Sequence, residues 1–427
     1  MGSGCFDDLE ARGLVHDTTH PAEVKALLND QSIAAYCGFD PTADSLHVGS
    51  LVPLLALRRL QLAGHTPIAL AGGATGLVGD PSGKSAERNL LTTEVLQHNV
   101  SCIKEQLRRL LDFDTRVNPA RLVDNHDWLG RFGLLEFLRD VGKHFTVNGM
   151  IAKDSVRSRL DRENGISFTE FSYQLLQAAD FHHLFRHEKC VLQVGGSDQW
   201  GNITAGTELI RRVEGSPAYG LTLPLITTAS GAKFGKTEQG AVWLSADRTT
   251  PYALYQYFVR TDDRDVGRYL RYFTFLPLDQ IEALEGLVAT APDKRDAQKA
   301  LAREMTRLLH GDDALASAVV GAELLFGGRP EGLTEADLLA VAAEVPRTDL
   351  SEPFGSERDA VELFVATRLS QSKSEARRLL QQGGLYVNNE RRAEGNTRIT
   401  GDALLFGRYL LLRGGKKSYH LVTFPAA

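Results

Sequence analysis

Two apolar strands bracketing one helix near the start of the chain set its architecture. Ile33 to Gly38 reads as a buried strand, Ser50 to Ala63 as a helix rich in Leu and Arg closed by Gly64, and Thr66 to Ala71 as a second buried strand. Two strands joined by a helical crossover lie parallel, so this unit calls for an α/β protein built on a Rossmann-like parallel sheet. Further helical patterns cover Thr93 to Leu111, Gly133 to Val141 and Phe168 to Phe185, with Cys190 to Val194 as another core strand. After Pro251 the pattern is mostly helical, above all from Asp296 to His310, until Pro346 and Pro353 interrupt it between Glu344 and Gly355. The remainder reads as a small α/β piece: a basic helix Lys373 to Gln382, Gly383-Gly384, then strands Leu385 to Asn388, Tyr409 to Leu412 and Tyr419 to Thr423.

At 427 residues, 43% hydrophobic and 24% charged, the chain can bury two or three globular cores. It has no apolar run of the roughly 18 residues that a membrane span needs, and its start lacks a basic-then-apolar signal pattern. Cys5, Cys37, Cys102 and Cys190 are scattered without CxxC pairing, which implies neither a disulfide framework nor a zinc site. No metal ligand set is expected, and the cytoplasm is the expected location. The net charge of −6 is unevenly spread: Arg368 to His420 carries eleven Lys/Arg against four Asp/Glu, leaving +7 there and −13 elsewhere. A basic tail on an acidic body suits a tail that meets a phosphate backbone; the alternative is a solvated basic face.

The glycine-rich stretch Gly72 to Ser85 invites a phosphate-binding reading. Gly73, Gly76 and Gly79 follow G-x-x-G-x-x-G, not the G-x-G-x-x-G of a dinucleotide fold. Gly79 to Gly83 encloses three residues before Lys84-Ser85, one short of a P-loop. What remains is a loop whose Lys84 and Arg88 are candidate phosphate clamps.

Two other segments carry more. His47-Val48-Gly49-Ser50 stands just before a helix, where unpaired N–H groups and the positive dipole end favour an anion. Imidazole can donate to phosphate there, and Gly49 permits close approach of a flat base; read alone, the segment is also an ordinary helix entry with a capping serine. Far downstream, Lys233-Phe234-Gly235-Lys236-Thr237 places two lysines three apart in a glycine-flanked loop, suited to charge that grows as pyrophosphate leaves. Tyr173, Gln177 and Asp180, at i, i+4 and i+7, fall on one helical face, and polar groups on such a face need partners.

With Tyr36 to Ser50, Gly72 to Pro81, Phe168 to Asp180, Gly195 to Asn202 and the lysine loop in these positions, the chain resembles the bacterial tyrosyl-tRNA synthetases, class I aminoacyl-tRNA synthetases, over nearly its whole length. The resemblance implies a Rossmann-like catalytic domain with a dimerisation insertion (1–225), a lysine-loop linker (226–247), an α-helical anticodon-side domain (248–345) and a linker with an S4-like RNA-binding domain (346–427). It implies that Tyr36 and Asp180 bind the phenolic hydroxyl of substrate tyrosine, that Asp80, Tyr173 and Gln177 hold its ammonium group, and that Gln199 lies near its carboxylate. Gly38, Asp40, Gly49, Ser50, Gly196, Asp198 and Lys236 would line the ATP and adenylate site, and Thr42, His47, Lys84, Arg88, Lys233, Lys236 and Thr237 would handle the phosphates. The implied partners are L-tyrosine, ATP with Mg²⁺ and tRNA(Tyr), with Arg211 and Arg212 near the acceptor stem and Lys373, Arg377, Arg378, Arg413, Lys416 and Lys417 on the RNA backbone. It further implies a homodimer and no editing domain.

The sequence departs from the family at Ser50, where His or Asn is usual, and at Gly414, where relatives often carry a second basic residue. Cys37 allows two readings, a ribose contact or a small buried hydrophobe. Two rivals stay open: a tryptophanyl enzyme, which has little use for Tyr36 and Asp180, and an RNA-binding protein on a synthetase scaffold, which has little use for His47, Asp80, Lys233 and Lys236.

Overall fold

The computed structural model describes residues 4–82, 91–160, 165–231, 234–237, 240–330, 332–343, 345–415 and 418–425, with the backbone alone at 154, 155, 158, 236 and 237. Lys84, Arg88, Lys233, Lys416 and Lys417 lie outside the described residues. The chain divides into two compact units, one formed by 1–248 and 261–301, the other by 249–260 and 302–427. Among the described residues no helix is long and apolar enough to cross a membrane.

The first unit is built on six strands: β1 (Asp17–Thr18), β2 (Ala34–Phe39), β3 (Thr66–Ala71), β4 (Arg121–Asp124), β5 (Cys190–Gly196) and β6 (Tyr219–Leu223), in the order β1-β6-β5-β2-β3-β4. All neighbours run parallel except β1 against β6. The expected βαβ unit is present, its helix running Leu51–Leu62 and its strands pairing Tyr36 with Ile68 and Phe39 with Ala71. The helix stops because Gly64 turns the chain at φ +97°, a conformation open to glycine. β4 and β6 were not anticipated; each is a short apolar stretch whose pairing, not its periodicity, makes it a strand.

Chain progression fixes where a ligand can sit. From β2 the sheet grows one way through β3 to β4, and from β5 the other way to β6, so the topology switches between β2 and β5. Crevices at such a point open beyond the carboxyl ends of the strands. Asp40, Gly72-Gly73, Asn125 and Ser197-Asp198 follow directly on β2, β3, β4 and β5.

The helix expected from Phe168 runs Phe168–Glu188, three residues beyond the expected end. Ser167 caps it by accepting from the Glu170 N–H, and Lys189 ends it in the left-handed region at φ 54°. Phe181 and Leu184 on this helix pack with Tyr36, Ile68 and Leu70 beneath the crevice.

In the second unit the helical run Asp296–Leu325, of which this unit holds the part from Ala302, continues well past the expected His310 and is interrupted at Gly311 (φ 87°, ψ 176°). The tail forms the anticipated small α/β piece: helices Ala360–Ala366 and Lys373–Gln381 lie with a five-stranded sheet around Val361, Phe364, Leu380, Leu410 and Val422. Arg347–Asp349, in the stretch read as a linker, is an edge strand of that sheet, pairing parallel with Leu421 to Thr423. Asn388 and Asn389, at φ 51° and 62°, make the two-residue turn between Leu385–Val387 and Glu390–Arg391.

Candidate active site

The two loop segments read from the sequence as phosphate-binding, nearly two hundred positions apart, meet in space. Val48 N–H donates to the Val242 carbonyl at 3.0 Å, Leu244 N–H to the Leu46 carbonyl at 2.8 Å, and Val242 N–H to the Gly235 carbonyl at 2.9 Å. Gly235 lies so close to Val48 that an added Cβ would stand 2.6 Å from a Val48 methyl carbon. Phe234 anchors the loop by stacking on Phe273, ring centroids 5.1 Å apart, and by an edge contact with Tyr269. Lys236 and Thr237 start a short hairpin with Gly240 and Ala241.

His47 is exposed in extended backbone, its ring 6.4 Å from that of Trp243. A 3₁₀ turn, Val48–Ser50, leads into the helix Leu51–Leu62. The Ser50 side chain makes no capping bond, so the capping-serine reading of this segment does not hold. Thr42 is exposed beside Asp40, to whose carbonyl its N–H donates. Gly38 is exposed at the end of β2.

Deeper in, the polar residues form two hydrogen-bonded clusters, one around Asp40 and Asp180 and one around Asp80. Asp40 accepts from Tyr173 OH at 2.8 Å and from Thr75 Oγ1 at 2.9 Å. Asn125 Nδ2 donates to Thr75 Oγ1 and to Asp180 Oδ2, each at 2.9 Å, and its Oδ1 accepts from Ala74 N–H. Asp180 also accepts from the Trp128 indole N–H at 2.7 Å. Asp80 accepts from Gln199 Nε2 at 2.7 Å, while Asn202 Nδ2 reaches Gln177 Oε1 and Gln199 Oε1, each at 3.1 Å. Gly72 and Gly73 leave room for the carboxylates beside them: a Cβ at Gly72 would stand 2.3 Å from Asp40 Oδ1, and one at Gly73 2.2 Å from Asp124 Oδ1. At Gly196 a Cβ would meet Asp198 Oδ1 at 2.6 Å.

Asp40, Tyr173 and Asp180 share the first cluster, and Asp80, Gln177 and Gln199 share the second. Thr75, Asn125, Trp128 and Asn202 were given no role in advance. Asn125 and Trp128 follow a strand that the sequence pattern did not reveal; Thr75 and Asn202 lie within stretches already singled out for their resemblance.

One atom in this buried region stands apart. Tyr36 is 1% exposed, and its hydroxyl has no hydrogen-bond partner among the described residues. Burial above all, then the nearby Asp180 charge, pushes the phenol well above its ordinary value, so it is a neutral donor. Burial likewise pushes the Asp180 carboxyl up to about 8, against the hydrogen bonds from Asn125 and Trp128 that favour its charged form. Tyr173 is raised by burial and then by the charges of Asp40 and Asp80. Cys37 is buried and its thiol is pushed up to about 12, first by burial and then by Asp198. A buried phenol donor with a carboxyl beside it, and two further carboxylates near Tyr173, suit a ligand with a hydroxyl at one end and a cation at the other.

Similarity to known proteins agrees with this geometry. Residues 28–327 match the family model of the class I tRNA synthetases (W and Y), and residues 337–422 match that of the tyrosine–tRNA ligase SYY-like C-terminal domain. The chain belongs to the class I tRNA synthetases. It is 55% identical to a tyrosine–tRNA ligase of Opitutus terrae and 53% identical to one of Bacillus caldotenax, in both cases over 98% of this chain and 99% of the relative. Among solved structures, a C-terminally truncated mitochondrial tyrosyl-tRNA synthetase of Aspergillus nidulans superposes with a TM-score of 0.70 at 34% identity, covering 76% of this chain and 95% of that one.

Within this synthetase chain the residues suggested for tRNA sit less uniformly. Arg211 and Arg212 are exposed and share Glu208. Lys373 is exposed and paired with Glu362 at 2.7 Å, and Arg377 and Arg378 are exposed on the same helix. Arg413 is half-buried, stacked 3.8 Å over the ring of its cross-strand neighbour Tyr386 and donating to Tyr419 OH at 3.3 Å.

Proposed function

We propose that this chain is a tyrosine–tRNA ligase: it activates L-tyrosine with ATP to tyrosyl-adenylate and pyrophosphate, then transfers the tyrosyl group to the 3′-terminal adenosine of tRNA(Tyr). The observation that carries the reading is the buried, unpartnered Tyr36 hydroxyl beside Asp180. A substrate phenol donates to Asp180 and accepts from Tyr36, whereas phenylalanine leaves the Tyr36 hydroxyl unpaired and gives Asp180 no further donor. Sites of this kind reject the analogue lacking the hydroxyl without an editing step, and tyrosyl enzymes are themselves the standard example, at about 10⁵-fold.

Asp80, Tyr173 and Gln177 take the ammonium group, and Gln199, held by Asp80 and Asn202, faces the carboxylate. The carboxylate attacks the α-phosphorus of ATP, which enters as its magnesium complex. The nucleophile is already anionic, so the protein's contribution is positioning and charge stabilisation. Gly38, Asp40, Gly49, Ser50, Gly196 and Asp198 line the nucleotide site. Thr42, His47, Lys84, Arg88, Lys233, Lys236 and Thr237 meet the phosphates as pyrophosphate departs.

The reading includes the four-part division at 225, 247 and 345, a cytoplasmic location and a homodimer. Leu134, Leu135 and Phe168 are 73%, 81% and 79% exposed, an apolar surface suited to cover by a second copy. Arg211, Arg212, Lys373, Arg377, Arg378, Lys416 and Lys417 contact tRNA; Arg413 joins them with its guanidinium already engaged by Tyr386 and Tyr419.

ATP–pyrophosphate exchange with tyrosine, phenylalanine and tryptophan offered separately, without tRNA, tests the reading. Exchange with tyrosine alone is expected. Exchange with tryptophan alone moves the chain to the tryptophanyl enzymes, and none at all moves it to the RNA-binding class.

A further inference from the structure

Trp128 is gripped at its edge and on its face. The indole N–H donates to Asp180 Oδ1 at 2.7 Å, and the ring stacks on the imidazole of His183 with centroids 4.2 Å apart and planes within 9° of parallel. His183 packs in turn against His187, centroids 4.4 Å apart. Asp180, His183 and His187 share the helix Phe168–Glu188 at spacings of three and four, which align them along one face. Trp128 itself belongs to a helix of four residues, His126–Leu129, too short to hold an orientation through its own hydrogen bonds. The direction of the indole N–H is therefore set by its tertiary contacts, and the face-to-face contact comes from His183.

We propose that His183 is a positioning residue for the phenol site: its ring stacks on Trp128, keeps the indole N–H aimed at Asp180, and so holds that carboxyl group where the hydroxyl of the substrate arrives. This rests on the tyrosine-activating reading above. The role calls for a flat, neutral ring in contact with the indole. Burial first, then the neighbouring His187, push the imidazole of His183 down to about 4, so it is uncharged near neutral pH. The charged and titratable groups around it are His182, His187 and Glu188; those facing Asp180 are Asp40, Asp124 and Tyr36. The stack lies behind the substrate pocket, so it acts through Trp128 and does not touch the reacting atoms.

The test is tyrosine-dependent ATP–pyrophosphate exchange by wild type, His183→Ala and His183→Phe, each across a pH series and with phenylalanine as competitor substrate. His183→Ala is expected to raise the KM for tyrosine about three- to tenfold, the size an aromatic pair is typically worth. It should lower the preference for tyrosine over phenylalanine by the same factor, with the KM for ATP and kcat within about twofold of wild type. A less well-aimed Trp128 donor favours the ionised carboxyl less, so the acid limb of tyrosine binding should move to higher pH. His183→Phe, which keeps a flat ring, should restore the wild-type values. An unchanged tyrosine KM in His183→Ala overturns the proposal, and so does a general loss in which both KM values rise and kcat falls with no rescue by Phe, the signature of a merely structural side chain. If wild type itself shows no exchange with tyrosine, the functional reading falls and takes this role with it; if wild type exchanges normally and the variant does too, this role alone falls.

Discussion

The main-chain N–H of Val48 donates to the carbonyl of Val242 at 3.0 Å. That bond and its neighbour from Leu244 to Leu46 place the lysine loop against the helix entry that follows His47. The loop that carries Lys236 and Thr237 is thereby held against the segment that carries His47.

His47 stands at that junction, exposed and clear of the buried network around Asp180. His47→Ala should slow adenylate formation about 100-fold, the low end of what losing one donor to developing charge costs, and leave the Kd for tyrosine nearly unchanged. Pre-steady-state formation of the adenylate at saturating tyrosine measures this, and an unaltered rate would remove His47 from the chemistry.

Tyr36→Phe removes a buried hydroxyl that has no partner among the described residues. An unsatisfied buried group costs about 1–3 kcal/mol, so the unliganded variant should melt at the same temperature as wild type or higher. Saturating tyrosine should then stabilise the variant less than wild type. Thermal melts with and without tyrosine decide the matter; equal stabilisation of the two proteins by tyrosine would mean the hydroxyl never meets the ligand.

Asp180 gives a pH signature. Its folded-state value, raised to about 8, exceeds the ordinary 3.8, so the folded protein holds that proton over a window in which the unfolded chain has lost it. The stability tied to this proton is complete below the ordinary carboxylate range and is lost as pH rises through about 8. Asp180→Asn has no such proton to lose. Its melting temperature, measured from about pH 5 to pH 9, should therefore fall less steeply than that of wild type, and parallel curves would contradict the assignment.

Gly72→Ala tests how tightly the crevice is built. Its new Cβ would stand 2.3 Å from Asp40 Oδ1 and 2.6 Å from Thr75 Oγ1. The network must shift to admit it, at a cost of about 1–3 kcal/mol. Both stability and adenylate formation should drop, whereas Gly133→Ala, with nothing within 4 Å of the added atom, should change neither.

A chain ending before Arg347 should retain tyrosine-dependent exchange and lose tRNA charging. It also uncovers Leu324, Leu338 and Ala342, which pack against Tyr409, Leu411 and Leu421, so it should self-associate more readily. Exchange, charging and sedimentation on the same preparation separate these effects; loss of exchange together with charging would show that activation depends on the tail.

Much of this protein was legible in one dimension. Apolar runs and a 3.6-residue period locate β2, β3, β5 and the helices between them, because those patterns report which face of an element is buried. The same period aligns Tyr173, Gln177 and Asp180. What the period cannot carry is the identity of a partner far along the chain. Tyr173 meets Asp40 across 133 positions and Gln199 meets Asp80 across 119. Asn125 and Trp128 matter because β4 ends where Asp180 waits, and β4 itself is a strand only through its pairing with β3. Residue types and local spacing by themselves determined the fold class and put Tyr173, Gln177 and Asp180 on one helical face, while the other polar groups of the crevice were indicated by the resemblance to the family. Only the tertiary structure decided which of those groups satisfy one another and which one, the hydroxyl of Tyr36, is left without a partner among the described residues, since a buried hydrogen bond is a property of two positions brought together and not of either alone.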